Sequence, residues 1–194
     1  MKLYLIRHGQ SEGNARGVYC GQADYPLTEQ GREEARSAAP LLQHITFDQV
    51  YASPLQRAVE TAALAIPDYK AQIDERLKEI SVGSLTGKPV KQTIKELGEP
   101  FAMHRKNWDF TSYGGENYAM MMDRASSFLR DVEKSGAQNV AAVCHAGMCY
   151  ALLCAALGCE IDRYSVVLEN AAIARLDYNG EGWFLLKWNI NGRL

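Results

Sequence analysis

The sequence predicts an α/β layered fold with a mostly parallel central sheet. Three observations carry that expectation. Short apolar runs at residues 2–6, 48–52 and 139–144 alternate with helical patterns at 28–42, 53–66, 118–134 and 146–157, as in chains whose strands are joined by crossover helices. Several of the helix starts carry local capping chemistry. No internal repeat, low-complexity tract or interdomain linker interrupts the pattern, so the 194 residues read as one domain, 1–194, with a substantial core.

In chain order, Lys2-Leu3-Tyr4-Leu5-Ile6 forms the first strand and ends abruptly in Arg7-His8-Gly9. Thr28 is a plausible N-cap for the next helix, whose early turns carry Glu29, Glu33 and Glu34. Pro40 conflicts with a straight helix to Leu42 and predicts a kink or an early stop. Ser53-Pro54-Leu55-Gln56 reads as a capping box opening the following helix, with Ser53 as N-cap, Pro54 at the first helical position and Gln56 at the third. A strand-like stretch at 71–73 precedes Glu79. Residues 81–117, rich in Gly and Pro, form the least regular stretch and read as an excursion over the active face, holding a short helix near 91–97. Helices at Tyr118–Lys134 and Ala146–Leu157 flank the third strand. The runs 171–176 and 183–188 around Asn179-Gly180-Glu181-Gly182 read as a hairpin.

Bulk properties exclude several functions. An apolar fraction of 47% and a charged fraction of 23% are ordinary for a globular protein. A net charge of −2 argues against broad nucleic-acid binding, which needs a basic face. No apolar run is long enough to span a bilayer, and chemistry-bearing sequence begins so early that no secretory signal is expected. Five cysteines without a short framework fit reduced thiols in a cytoplasmic protein. Cys144, Cys149, Cys154 and Cys159 recur every five residues. On a helix that step turns about 140°, so the four should spiral apart as small packing residues rather than converge on a metal. The C-terminal hairpin or an edge strand could pair two copies into a homodimer, although nothing in the sequence compels it.

In a parallel sheet, ligands bind beyond the carboxyl ends of the strands. The first strand ends in Arg7-His8-Gly9, the third in Cys144-His145-Ala146-Gly147, and Arg57 lies one turn into the helix after the second. Two imidazoles and two guanidiniums therefore gather on one edge, a set suited to a phosphoryl group. Arg7 and Arg57 can grip phosphate oxygens bidentately, and the amide of Ala146 opens a helix. A neutral imidazole can attack phosphorus in line without metal or cofactor, while a second imidazole donates hydrogen bonds to the equatorial oxygens. Glu79 stands where an acid could protonate the departing oxygen.

The chain is here identified by its motifs as resembling the histidine phosphatase superfamily, in its phosphoglycerate-mutase-like branch. Leu5-Ile6-Arg7-His8-Gly9-Gln10-Ser11-Glu12-Gly13-Asn14 is similar to the family signature. Gly21-Gln22-Ala23-Asp24-Tyr25-Pro26-Leu27-Thr28-Glu29-Gln30-Gly31 resembles its second block, and Tyr51-Ala52-Ser53-Pro54-Leu55-Gln56-Arg57-Ala58 with Glu60-Thr61-Ala62 its third. Glu79 with Gly83-Ser84-Leu85-Thr86-Gly87 is the fourth, and Cys144-His145-Ala146-Gly147 the last. The resemblance implies a three-layer α/β/α sandwich. It implies His8 as the phosphorylated nucleophile, Arg7, Arg57 and His145 as the phosphate pocket, and Glu79 as proton donor. Asn14 would contact phosphate or substrate, and Ser11 and Gln22 would line the entrance.

The expected activity is hydrolysis of a small phosphorylated metabolite through a phosphohistidine. The alternatives are phosphoglycerate-mutase-type transfer and a phosphoester-binding regulator without turnover. Similar mutases usually carry Arg and Tyr shortly after the acid, where this chain has Ile80, Ser81 and Val82; yet Arg105-Lys106 falls where a mutase places a basic pair. His44 reads as an exposed loop residue. His104-Arg105-Lys106-Asn107-Trp108 is either a solvated cluster or a grip on a second anionic group, with Trp108 able to close over an apolar substrate part.

Overall fold

A computed structural model describes residues 1–162 and 164–192. Six strands form one sheet, β1 (Lys2–Arg7), β2 (Gln49–Ala52), β3 (Gln72–Ile73), β4 (Asn139–Cys144), β5 (Ile173–Tyr178) and β6 (Trp183–Ile190), in the order β3-β2-β4-β1-β5-β6. β1, β4, β2 and β3 pair in parallel, and only β5 runs against its neighbours. The helices are α1 (Glu12–Ala15), α2 (Glu29–Leu42), α3 (Gln56–Ala65), α4 (Val90–Lys106), α5 (Tyr118–Lys134) and α6 (Ala146–Leu157).

The period of two along β1 explains the layering. Leu3 and Leu5 enter one apolar cluster with Phe128, Leu129 and Leu152 of α5 and α6. Tyr4 and Ile6 enter another with Ala38, Leu42, Ala58 and Ala62 of α2 and α3. Both faces of the sheet are therefore covered, the three-layer α/β/α sandwich that was expected, and α6 is apolar nearly all round because Gly147–Cys154 is buried on every side. Among the described residues no helix is long and apolar enough to cross a membrane.

Register is what builds the site. Arg7 lies opposite Cys144 and Ala52 opposite Val143. The next residue of each strand, His8, His145 and Ser53, therefore leaves the same edge in a row. The amide of His8 bonds the carbonyl of Cys144 (2.9 Å), and that of Ser53 bonds the carbonyl of Val143 (2.9 Å).

Four expectations need correction. α2 runs through Pro40 to Leu42; the proline removes one donor near the helix end, where the unpaired carbonyl of exposed Arg36 can face solvent. No capping box forms at Ser53. α3 begins at Gln56 with Leu55 as an N-cap that has no side-chain bond, the amide of Gln56 bonds Asp24 Oδ1 (2.6 Å), and the Ser53 hydroxyl accepts the amide of Leu55 (3.4 Å) while meeting the second histidine (2.8 Å). The helix near 91–97 forms as expected, but a second helical half after it was not foreseen. Gly98 (φ 65°) breaks α4 and a second half continues to Lys106, so the basic cluster rides a helix end rather than a loop. Finally, Cys144 and Cys149 converge, their sulfurs 3.3 Å apart, because Cys144 belongs to β4 and not to the helix. The hairpin forms as expected, with Asn179 Oδ1 accepting from the amides of Glu181 and Gly182 (2.9 Å each).

The loop after β1 docks directly on the start of α2. A Cβ on Gly9 would lie 2.2 Å from the carbonyl oxygen of Gly31, and one on Gly31 would lie 2.0 Å from that of Gln10. Gly31→Ala should therefore push the His8–Gln10 loop off α2. The expected cost is about 1–3 kcal/mol, read as a lower urea midpoint at unchanged slope.

Candidate active site

At the carboxyl edge of β1, β2 and β4 lies a chamber of about 240 Å³. Arg7, His8, Asn14, Arg57, Glu79 and Ala146 all line it. Segments as distant as residues 7 and 146 thus meet around one small space.

His8 is 4% exposed. Its Nδ1 lies 2.6 Å from the carbonyl oxygen of Gly9, an acceptor only, so Nδ1 carries the proton and Nε2 is left with the lone pair. Burial, then the charges of Arg57 and Arg7, holds this imidazole well below the usual histidine value. It is a neutral base at neutral pH. The Gly9 amide bonds Thr61 Oγ1 (3.0 Å), whose own hydroxyl bonds the carbonyl of Arg57 (2.6 Å). Thr61 thereby ties the His8–Gly9 loop to α3.

Arg57 is 1% exposed and anchored on three sides. Nη1 donates to Ala23 O (2.7 Å), Nη2 to Gly21 O (2.9 Å) and Nε to His145 Nδ1 (3.2 Å). One N–H on each terminal nitrogen stays available. Arg7 donates through Nη1 to Leu168 O (2.7 Å), while its buried Nε has no hydrogen-bond partner among the described residues. Burial lowers the pKa of both guanidiniums, and Glu79 is the strongest opposing influence on each.

His145 differs from the expectation. Its ring centroid is 5.0 Å from that of His8, but both nitrogens are spent on the protein: Nδ1 accepts from Arg57, and Nε2 lies 2.8 Å from Ser53 Oγ. Fully buried, it does not line the chamber. In this state it orients Arg57 instead of donating into the chamber. Burial first, then neighbouring positive charge, also pushes its pKa well down. Its neighbour Ala146 lines the chamber at the first position of α6.

Glu79 is fixed by backbone. Oε1 accepts the amide of Ile80 (3.0 Å) and Oε2 that of Gly147 (3.1 Å). Position 147 has to be glycine, since a Cβ there would meet Glu79 Oε1 at 2.3 Å and the Trp108 ring at 3.0 Å. Gln22 does not line the chamber. Its Nε2 donates to the Glu79 carbonyl (3.0 Å), and Glu116 Oε2 accepts the amide of Ser81 (2.8 Å). Arg124 pairs with Glu116 (3.0 Å) and donates to the carbonyls of Arg76 and Lys78. Those three side chains clamp the segment that carries Glu79. Ser11 is likewise fully buried, away from any entrance. It caps α1, and its amide and hydroxyl both bond Asn14 Oδ1 (3.1 and 2.9 Å). That turns the Asn14 amide NH₂ toward the chamber it lines.

Ser53, Thr61, Glu116 and Arg124 escaped the sequence reading, as did the chamber walls Val18, Tyr19, Cys20 and Gly21. Ser53 and Thr61 lay inside the matched third block, the one signal that could have found them. Arg105 and Trp108 line the chamber, whereas Lys106 opens onto a separate cavity and His104 lies near Asp109 (3.9 Å). His44 is exposed.

The model of the histidine phosphatase superfamily (branch 1) matches residues 3–191. A phosphoserine phosphatase 1 from Hydrogenobacter thermophilus is 30% identical over 199 aligned residues, covering 100% of this chain and 94% of that protein. A 2,3-bisphosphoglycerate-dependent phosphoglycerate mutase from Arthrobacter is 40% identical, but over 56% of this chain and 47% of its own length. The crystal structure of the alpha-ribazole phosphatase from Shigella flexneri superposes with a TM-score of 0.87 at 27% identity, covering 98% of this chain and 97% of the other.

Two buried imidazoles with depressed pKa values make stability depend on pH. Above about 6.5 both folded and unfolded chains hold them neutral. As pH falls below that value, the unfolded chain binds protons that the folded chain refuses, so stability is lost on acidification through the folded pKa. Each such histidine contributes a slope of up to about 1.4 kcal/mol per pH unit. Urea unfolding between pH 7 and 5 should show wild type losing stability more steeply than His8→Gln; parallel lines would contradict the burial assigned to His8.

Proposed function

The chain belongs to the histidine phosphatase superfamily, and from that we propose that it hydrolyses a small phosphomonoester through a phosphohistidine on His8. The observation carrying this reading is the tautomer of His8, whose Nδ1–H is committed to Gly9 O while Nε2 keeps its lone pair beside two guanidiniums.

In the first step Nε2 attacks phosphorus, the bond to the ester oxygen breaks, and the Glu79 carboxyl, as the acid, gives a proton to the departing alkoxide. The imidazolium so formed keeps its Nδ1–H on Gly9 O. Charge on the transferring oxygens is met by Arg7 Nε and by the remaining donors of Arg57 and Asn14, already in position. In the second step the Glu79 carboxylate takes a proton from water as that water attacks phosphorus, releasing phosphate and restoring His8. His145 and Ser53 act by holding Arg57. Residues 81–117 serve as the lid, through Val82, Arg105, Trp108 and Phe110. The assignment as a cytoplasmic enzyme working without metal follows from the thiols and from this residue set.

Hydrolysis is favoured over mutase chemistry by Ile80 and Val82, 3% and 4% exposed, which give the chamber an apolar wall beside the acid. A bisphosphate kept for return transfer would need a second set of donors there. The phosphoserine phosphatase 1 also matches over 100% of this chain, and the Arthrobacter mutase over 56%.

Phosphate release from 4-nitrophenyl phosphate, unaffected by chelator and reduced to background by His8→Ala, is the expected result. Exchange between phosphoglycerate isomers with bisphosphoglycerate, without net release, would establish the mutase instead. Glu79→Gln should lower kcat on an alkyl phosphate by about 10²–10⁴-fold, yet cost far less on 4-nitrophenyl phosphate, whose leaving group departs without a proton. Equal losses on both esters would remove Glu79 from the role of acid.

A further inference from the structure

The chamber around His8 holds a phosphoryl group and little more. Its volume of about 240 Å³ falls below the roughly 300–1,000 Å³ of typical ligand sites. A second cavity of about 250 Å³ adjoins it and shares four of its lining residues, Arg7, Arg105, Trp108 and Ala146. An ester seated on His8 therefore has a roomy, continuous direction in which to send its alcohol part. Past the shared residues the groove is walled by Tyr150, Tyr164, Val167, Leu168 and Trp188.

The chemistry of that wall is uniform. Among the described residues its only charges are the guanidiniums of Arg7 and Arg105, and Glu79 is the one carboxylate lining either space. The floor is a ring stack, with Trp108 parallel to Tyr150 (centroids 5.9 Å apart, interplanar angle 13°). Trp108 sits in left-handed backbone (φ 52°), a strained conformation for a bulky side chain. The strain aims the indole where it borders both spaces. Opposite, Trp188 Nε1 donates to the carbonyl of Val167 (2.8 Å), bracing a loop whose Val167 is 62% exposed and whose Leu168 carbonyl holds Arg7. The Arg105 guanidinium, which donates to Tyr164 Oη (3.3 Å), borders both spaces. Such a planar cation stacks readily on a ring.

We propose that this groove is the alcohol subsite, and that the natural substrate is a phosphomonoester of an uncharged alcohol bearing a planar ring system. The proposal rests on the phosphohydrolase reading for its chemistry, while the groove itself can be read by binding alone. An amino-acid phosphate fits poorly. Its ammonium would lie beside guanidiniums, and the one carboxylate among the described lining residues is already engaged by two amides and needed for catalysis.

The test uses matched pairs, so that leaving-group acidity does not confuse the reading. Equilibrium binding of 2-(1-naphthyl)ethylphosphonate and ethylphosphonate compares the groove filled and unfilled. Wild type should bind the naphthyl compound at least about tenfold more tightly. Val167→Asp, at an exposed position that folding tolerates, should cut that ratio to threefold or less. The corresponding phosphate esters should show the same ratio in kcat/KM, carried by KM, with O-phosphoserine no better than ethyl phosphate. Equal binding of the two phosphonates, or a ratio that Val167→Asp leaves untouched, overturns the subsite. A preserved binding ratio without phosphate release from any ester sinks the hydrolase reading and leaves the subsite standing.

Discussion

Positive charge held out of water is the constraint on which the molecule is organised. Arg57 is almost wholly buried, Arg7 has a buried nitrogen without a partner, and no carboxylate forms an ion pair with either among the described residues. Desolvated cations of this kind are costly unless their hydrogens are met. Here carbonyls of Gly21, Ala23 and Leu168 and the ring of His145 meet some of them, and both arginines line the chamber. A dianion entering that space completes a set of bonds that folding left incomplete. Little reorganisation is then needed when charge grows on the transferring oxygens.

Holding the cations still requires rigid support, and the parallel sheet supplies it. Because β1, β2 and β4 are fixed in register, His8, Ser53 and His145 emerge in a row with no freedom to slide. Each then braces another group: His8 its own loop through Gly9, His145 the guanidinium of Arg57, and Ser53 the ring of His145. The acid is held differently. Glu79 follows the short β3 and lies outside the sheet proper, so the Glu116–Arg124 pair does for it what strand pairing does for the histidines.

What the sequence revealed follows the same division. Strand ends are legible because an apolar run that stops in Arg-His-Gly or Cys-His-Ala-Gly marks its own edge, and the two histidines and Arg57 were found that way. Partnerships across the chain were not legible. Ser53-Pro54 carries every local sign of a helix cap, yet the hydroxyl is taken by His145, 92 residues away. Ser11 and Gln22 occupy motif positions but point inward, to Asn14 and to the Glu79 backbone, because their side chains satisfy buried polar groups first. The five-residue cysteine spacing misled for a related reason: it assumed one helix, whereas the chain changes from strand to helix between Cys144 and Cys149. Gly98 was visible as a glycine but not as a break between two helical halves, since Pro100 fits the first turn of a new helix as well as it fits a loop.

The walls that choose among substrates come from elsewhere again. Ile80 and Val82 follow the acid, Arg105 and Trp108 come from the end of α4, and Val167 and Leu168 from the connection into β5. None belongs to the strand ends that carry the reaction. A second phosphoryl group laid against Ile80 and Val82 would lose its water without gaining donors, a penalty that the exposed side of the chamber does not impose on a ring. Chemistry and selection are thus separated by construction. On the proposed reading the sheet edge fixes how a phosphoryl group is taken, and the loops around it decide which alcohol leaves.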